Sequence, residues 1–295
     1  MTIDSRPSVS IVICTRNRPD DLHACLSSIA RLILVPDEVL VIDNTQGDSA
    51  TMNVAITFDA RYIVEPSSGL SRARNRGLAE SRCDIVAYID DDAIPTLHWL
   101  ENLVHFFTDS RVAVVTGGTV PPDFDSTAIT QVPTRTLSSR DAQWFEIAAF
   151  GGLGIGANMA LRRSACTGWK VFDERLGRGA PFQLGEENHA FVSLLERGHS
   201  VVHAPAAVVL HPVKPIDVAL EARNSMAYWL LLFSQFPRHR MELVRYLARR
   251  LRHKPLSWQR VPQEEGAIMR SKWSVRVRAA FAGLMLFLRT PAPKE

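Results

Sequence analysis

At 295 residues, with 46% hydrophobic and 22% charged side chains, the chain holds enough apolar material for a large core, which excludes a globally disordered protein. A formal net charge of +3 is too small to imply a nucleic-acid partner, and none is expected. The four cysteines, Cys14, Cys25, Cys83 and Cys166, include no C-x-x-C pair, so neither a zinc site nor a disulfide framework is expected, and a cytoplasmic setting is. The polar residues from Met1 to Ser8 do not read as a signal peptide, and no apolar run approaches the ~20 residues that span a bilayer.

In chain order, Val9-Ser10-Ile11-Val12-Ile13-Cys14-Thr15 reads as a first strand, because β-branched residues favour a pleated, buried backbone. Arg16-Asn17-Arg18-Pro19-Asp20 follows, with Pro19 opening a helix whose apolar Leu22, Cys25, Leu26 and Ile29 recur at helical spacing. Glu38 to Asp43 reads as a second strand, Arg61 to Val64 as a short third, and Gly69 to Arg82 as a helix. Ile85-Val86-Ala87-Tyr88-Ile89 is a strand that runs straight into Asp90, Asp91 and Asp92. Thr96 to Phe107 reads as a helix and Val112 to Thr116 as a strand. Strands alternating with helices predict an α/β fold with parallel βαβ units in a doubly wound sheet.

The pattern then loosens. Thr119 to Arg140, with Pro121, Pro122 and Pro133, reads as a long loop, and Gly151 to Leu161 is glycine-rich before turning apolar. Glu187 to Arg197 reads as a helix and Val201 to Leu210 as one or two short strands. From Val218 the chain is helical and increasingly basic, so the expected division is a domain of residues 1–215 and a helical extension of residues 216–295.

The acid triplet carries the chemistry. Side chains alternate along a strand, so Asp90 and Asp92 share a face while Asp91 points elsewhere. Ligands of open α/β sheets bind beyond the carboxyl ends of such strands, and two carboxylates gathered there repel unless a cation compensates. Hard oxygen ligands suit Mg²⁺ or Mn²⁺. A solvated acidic turn capping the next helix is the bland alternative.

One combination of motifs goes further. In order, a strand followed by Thr15-Arg16-Asn17-Arg18, a strand ending in Asp43-Asn44, the run Gly69-Leu70-Ser71-Arg72-Ala73-Arg74-Asn75-Arg76-Gly77, the acid triplet, Gly156-Ala157-Asn158 and Gly185-Glu186-Glu187 resemble glycosyltransferase family 2 of the GT-A fold. The resemblance runs from Ser8 to Pro212 and implies a Rossmann-like, mostly parallel sheet and an inverting, metal-dependent enzyme that takes a sugar from a nucleoside diphosphate sugar, with a UDP-sugar the expected donor. It implies that Thr15, Arg16, Arg18, Asp43, Asn44, Arg72, Asp90 and Asp91 surround the nucleotide, with Asp43 accepting from the base. It implies a metal held by Asp92, Asp90 and His211, with Asn75 beneath it. Gly156, Ala157, Asn158 and Trp169 are the expected donor- or acceptor-sugar contacts. The family's catalytic base is the second acid of an E-D pair; that position here is Glu187, one methylene longer, and Glu186 stays open as the alternative. Helix capping alone would also explain both acids, and Asp43 and Asn44 would serve as ordinary strand stops. Arg74 and Arg76 read as solvated cations and His189 as a surface residue.

The Q-x-x-R-W signature of processive synthases is absent, which points to single transfers of a hexosyl or N-acetylhexosaminyl group. A nicotinamide-dependent oxidoreductase would need G-x-G-x-x-G where Thr15-Arg16-Asn17-Arg18-Pro19 stands. In the extension, Arg240, Arg245, Arg249, Arg250, Arg252 and Lys254 interleave with Met241, Leu243, Val244, Leu247 and Leu251, and Ala279 to Leu288 is apolar between flanking arginines. Such helices lie at anionic membrane surfaces, which would suit a lipid-linked acceptor and a peripheral place on the cytoplasmic face. A glycan or a small molecule is the alternative acceptor, and the non-enzymatic rival is a catalytically silent, membrane-associated binding module with the same fold.

Overall fold

The computed structural model describes residues 6–123, 132–213, 217–251 and 273–292. Four parallel strands open it: β1 (Val9–Thr15), β2 (Glu38–Asp43), β3 (Arg61–Val64) and β4 (Ile85–Asp90), in the order β3-β2-β1-β4. Their crossovers are helices α1 (Pro19–Ile29), α2 (Ser49–Thr57) and α3 (Leu70–Glu80). The register sets Thr15 beside Asp43, Cys14 beside Asp90 and Asp43 beside Val64, so the four carboxyl ends share one rim.

The second half adds β5 (Ile94–Pro95), β6 (Val112–Val120), β7 (Arg135–Ser138), β8 (Asn158–Arg162) and β9 (Ser200–Leu210). The sheet continues from β4 as β8-β6-β9-β5, and β7 pairs with β9. β8 enters antiparallel to both β4 and β6, while β6 and β9 are parallel. The helices are α4 (Trp99–Val104), α5 (Trp144–Ala149), α6 (Glu186–Glu196), α7 (Val218–Gln235), α8 (Arg240–Leu251) and α9 (Trp273–Arg289).

Strand alternation divides the core in two. Val12, Leu40, Ile42, Val86 and Tyr88 face Phe145, Phe191, Leu195, Leu231 and Leu232, whereas Ile11, Ile13, Val41, Ile85 and Ala87 face Leu22, Leu26, Trp99 and Leu103. Burial on both faces is why the central strands read as continuous apolar runs rather than alternating ones. Residues of α7 and α8, among them Ala227, Tyr228 and Leu243, belong to the first of these cores, so they pack with the sheet. Among the described residues no helix is long and apolar enough to cross a membrane.

Two expectations need correction. The segment after α6 is one strand of eleven residues, not one or two short strands. Its pairing with β6 jumps from Gly117↔Ala204 to Gly118↔Val208, and this bulge absorbs Pro205, which cannot donate to a ladder. Likewise β6 runs on through Gly117 and Gly118 to Val120 instead of ending at Thr116. The long loop contains β7, and its residues 124–131 lie outside those described.

Helix α3 lies close on β1 because Gly77 has no side chain: a Cβ there would stand 2.4 Å from Val12 Cγ1. Overpacking a core costs about 1–3 kcal/mol. Gly77→Val should therefore lower the unfolding free energy by that amount, read as a lower denaturant midpoint at unchanged slope, whereas an unshifted midpoint would show that α3 tolerates a wider seat.

Candidate active site

The acid triplet stands where β4 stops, and its members part company at once. Asp91 turns back under β1: it is 5% exposed and accepts from Thr15 Oγ1 at 2.7 Å and Arg18 Nη1 at 2.9 Å. Burial raises its carboxyl above the usual range, with Thr15 and Arg18 opposing. Asp90 and Asp92 face the rim, with Arg18 Nη1 3.2 Å from Asp92 Oδ2.

His211 completes that corner. Pairing of β5 with β9 and the bond from His211 N to Val120 O deliver the imidazole to the acids. Its Nε2 lies 3.1 Å from Asp92 Oδ1 and 3.7 Å from Asp90 Oδ2, and one ligand atom from each of the three residues falls within 4.8 Å of the others. The two aspartates push the imidazole up to about 9, so a metal ion and a proton would compete for the same nitrogen beside them. Asp90 is held below the usual carboxylate range: burial works against its charge, but His211 and Arg74 outweigh it. The pair thus demands positive charge, and two carboxylates with one imidazole form a donor set that fits Mn²⁺.

At the end of β2, Asp43 is fully buried and accepts from Thr45 Oγ1 (2.8 Å), Asp48 N (2.9 Å) and Tyr62 Oη (2.5 Å). Asn44 donates to Glu65 O and Ser67 O and accepts from Gly69 N, fixing the loop that leads into α3. Both residues therefore hold the rim loops as strand stops do, and their side chains are committed to protein partners in this state. Arg16 donates to Ser68 Oγ at 2.7 Å on the exposed rim, and Arg72 pairs with Glu174 at 2.8 Å.

Arg74 was expected in solvent and lies at the centre instead. It is 2% exposed and forks, one nitrogen donating to Glu186 Oε1 at 2.8 Å and the other to Gly156 O at 3.0 Å, 3.4 Å from Asp90 Oδ1. Gly156 admits it, for a Cβ at that position would stand 2.7 Å from the guanidinium. Asn75 also moves: it clasps the backbone of Phe172, donating to its carbonyl at 2.8 Å and accepting from its N–H at 3.1 Å, rather than underlying the acids.

Across Arg74, Gly185 in the left-handed region (φ +82°) caps α6, whose first residues are Glu186 and Glu187. With Glu186 committed to Arg74, the two acids differ. Burial, and then Glu186, push Glu187 up to about 8, against Arg74 and the N–H groups of Glu187 and Gly156. Glu186 thus has a cation in direct contact, whereas Glu187 is left with a raised pKa, the property that suits a proton acceptor.

The remaining predicted contacts fall elsewhere. Asn158 is fully buried: its amide donates to Gly118 O and Ala207 O at the bulge and its oxygen accepts from Trp99 Nε1, so it braces the sheet and does not open to the rim. Ala157 is buried beside it. Trp169 lies beneath the Arg197 guanidinium, 4.2 Å from its ring, and lines a cleft of about 390 Å³ with Asp173, His189 and Gln235 that none of the acid-corner residues lines. His189 is buried, with Nε2 2.6 Å from Gln235 Oε1, rather than on the surface. Tyr228, which sequence reasoning passed over, rests its ring against Gly185.

Comparison with known proteins gives the family. Residues 10–168 match the family model described as glycosyl transferase family 2, a span that carries Asp90 and Asp92 and stops before Glu187 and His211. The succinoglycan biosynthesis protein ExoM of Rhizobium meliloti is 30% identical over 237 residues, covering 75% of this chain and 70% of that protein. Glycosyltransferase AglE of Haloferax volcanii is 24% identical over 247 residues, 76% of this chain and 75% of its own. In fold, the chain is similar to a mannosyltransferase of Pyrobaculum calidifontis solved with GDP-Man and Mn²⁺, with a TM-score of 0.61 and 17% identity over 97% of this chain and 88% of that one. A glucosyl-3-phosphoglycerate synthase of Mycobacterium tuberculosis, solved with Mn²⁺, UDP-glucose and phosphoglyceric acid, gives 0.51 at 22% identity over 77% and 79%. The chain belongs to glycosyl transferase family 2 and is an enzyme that transfers sugars.

Proposed function

We propose that the enzyme is an inverting, metal-dependent glycosyltransferase that moves a hexosyl or N-acetylhexosaminyl group from a nucleoside diphosphate sugar to one hydroxyl of a glycan, lipid-linked or small-molecule acceptor. The carrying observation is the Arg74 fork, which joins the acid corner of Asp90, Asp92 and His211 to the glutamates of α6 across one buried guanidinium. Asp90, Asp92 and His211 would hold Mn²⁺ or Mg²⁺, which when bound supplies charge to stabilise a leaving diphosphate. Arg18 adds a fixed cation beside Asp92, and Arg16 another at the rim. Glu187 accepts the proton of the acceptor hydroxyl as its oxygen attacks the anomeric carbon. Glu186, neutralised by Arg74, does not compete for that proton. A single base, with the second glutamate held by Arg74, suits one displacement at the anomeric carbon, hence inversion.

Asp43 and Asn44 at the end of β2 favour a uracil edge, and UDP-glucose is the donor in one similar structure. The internal partners of those two side chains, and the GDP-Man of another similar structure, favour a second donor class. A thermal-shift comparison of UDP-glucose, UDP-N-acetylglucosamine and GDP-mannose separates them. One should raise Tm only with Mn²⁺, and Asp92→Asn should lose that shift while keeping its own Tm. Donor stabilisation independent of both metal and Asp92 would remove the metal from the reading.

The base assignment makes a pH prediction. Below its pKa Glu187 carries a proton and cannot accept another, so kcat/KM should fall about tenfold per pH unit on the acid side. The midpoint of that limb should lie well above 4.5, the value of an ordinary glutamate, because burial raises it. Glu187→Gln should remove activity by a factor of ~100 or more, whereas an acid limb near 4.5 would move the role elsewhere.

The extension supports a peripheral membrane setting through α9, where exposed Phe281, Leu284 and Leu288 form a stripe between exposed Arg278 and Arg289. Within α8, Arg249 instead pairs with Glu146 and Arg240 stacks on Phe233, so those cations serve the fold, while Arg252 and Lys254 lie outside the described residues. Sedimentation with phosphatidylglycerol vesicles should be lost in a Phe281→Ser/Leu284→Ser/Leu288→Ser variant of unchanged Tm. Equal sedimentation of that variant would discard α9 as the contact.

A further inference from the structure

We propose that Tyr228, contributed by the C-terminal helix α7, is an acceptor-binding residue whose hydroxyl holds the oxygen that Glu187 deprotonates. The proposal rests on the reading of Glu187 as base. It starts from a contact: Tyr228 is 3% exposed, and a Cβ on Gly185 would stand 2.8 Å from its Cε2 and 2.9 Å from its Cδ2. Gly185 immediately precedes Glu186 and Glu187, so the phenol ring packs on the turn that presents both acids.

The hydroxyl is the informative part. It is buried and has no hydrogen-bond partner among the described residues. A phenylalanine would fill the same space without forgoing a hydrogen bond, so an orphan hydroxyl at this depth calls for a partner that the protein itself does not provide. Glu187 and then Glu186 are the charged side chains that act on it most strongly, ahead of Tyr246. Behind it, Phe150 meets the Tyr228 ring edge-on at 6.5 Å and stacks on Tyr246 at 3.7 Å, an aromatic wall that holds the ring's direction. A phenol both donates and accepts. Here its O–H donates to one lone pair of the acceptor oxygen, whose own proton goes to Glu187 and whose other lone pair attacks; Tyr228 keeps its proton throughout.

Tyr228→Phe deletes one oxygen and keeps the ring on Gly185. With Mn²⁺ and UDP-glucose or GDP-mannose, whichever raises Tm, and water as the acceptor, nucleoside diphosphate release should fall about tenfold, the loss of one hydrogen bond to the reacting oxygen. Donor KM and Tm should stay at wild-type values. A wild-type rate in Tyr228→Phe while Glu187→Gln is inactive would overturn the proposal and leave the base standing. A drop in Tm or a changed donor KM would overturn it in favour of a packing role. Full activity in Glu187→Gln would instead strike the underlying reading.

Discussion

One buried guanidinium organises this site. Asp90 and Asp92 gather at the end of β4, Glu186 and Glu187 at the start of α6, and Arg74 stands between the two groups with a nitrogen toward each. Carboxylates so close repel, and removing one partner of a buried ion pair costs about 3–5 kcal/mol because the other charge is left unmatched. The pair is therefore weak as a source of net stability but strong as a device for fixing which acid has a cation in contact. Its desolvation is offset by the Glu186 carboxylate and the Gly156 carbonyl, while the Tyr88 hydroxyl donates to the backbone carbonyl of Arg74 and fixes that turn of α3. Everything the site does chemically follows from that division of charge.

Much of this was legible in the residues. Apolar runs named the strands, and a triplet of acids behind one of them marked the rim. What failed to read was long-range. Arg74 sits 112 residues from Glu186, and nothing local distinguishes it from Arg72 or Arg76 on the same helix. The motif G-x-x-x-A-R-N-x-G held the signal, but the partner that buries the arginine lies in another part of the chain. Asn158 and Asn44 show the opposite difficulty. An asparagine beside a ligand and an asparagine that satisfies carbonyls at a bulge or loop look the same in sequence, because both need the same two donors and one acceptor. The single strand β9 was hidden by Pro205, which reads as a break until the bulge that accommodates it is seen.

The antiparallel entry of β8 between β4 and β6 shapes the site as well. It carries Gly156 to the edge of β4, where the carbonyl that Arg74 needs becomes available. The same half of the molecule packs its helices against the sheet face opposite α1 and α4, and α7 joins them with Tyr228, Leu231 and Leu232 in the shared core. Sequence position thus understates how near the last third of the chain comes to the chemistry. A helix that looks like an appendage by composition lies against the turn that bears the acids.

The remaining question is why Glu187, at a helix N-terminus, should bind a proton so readily. Free N–H groups and the helix dipole favour a carboxylate there by about 0.3–1 kcal/mol in exposed settings. Each pKa unit corresponds to about 1.4 kcal/mol, so the dipole accounts for less than one unit downward. The shift here is upward, to about 8, with burial as the leading cause and Glu186 next. The dipole is outweighed because Arg74 gives its charge to Glu186 and Asp90 first, and reaches Glu187 only through space. Had the guanidinium paired with Glu187 directly, that acid would be an anion with little appetite for a proton. On the proposed mechanism, the choice of which glutamate Arg74 touches is thus the choice of which glutamate is left to accept the proton.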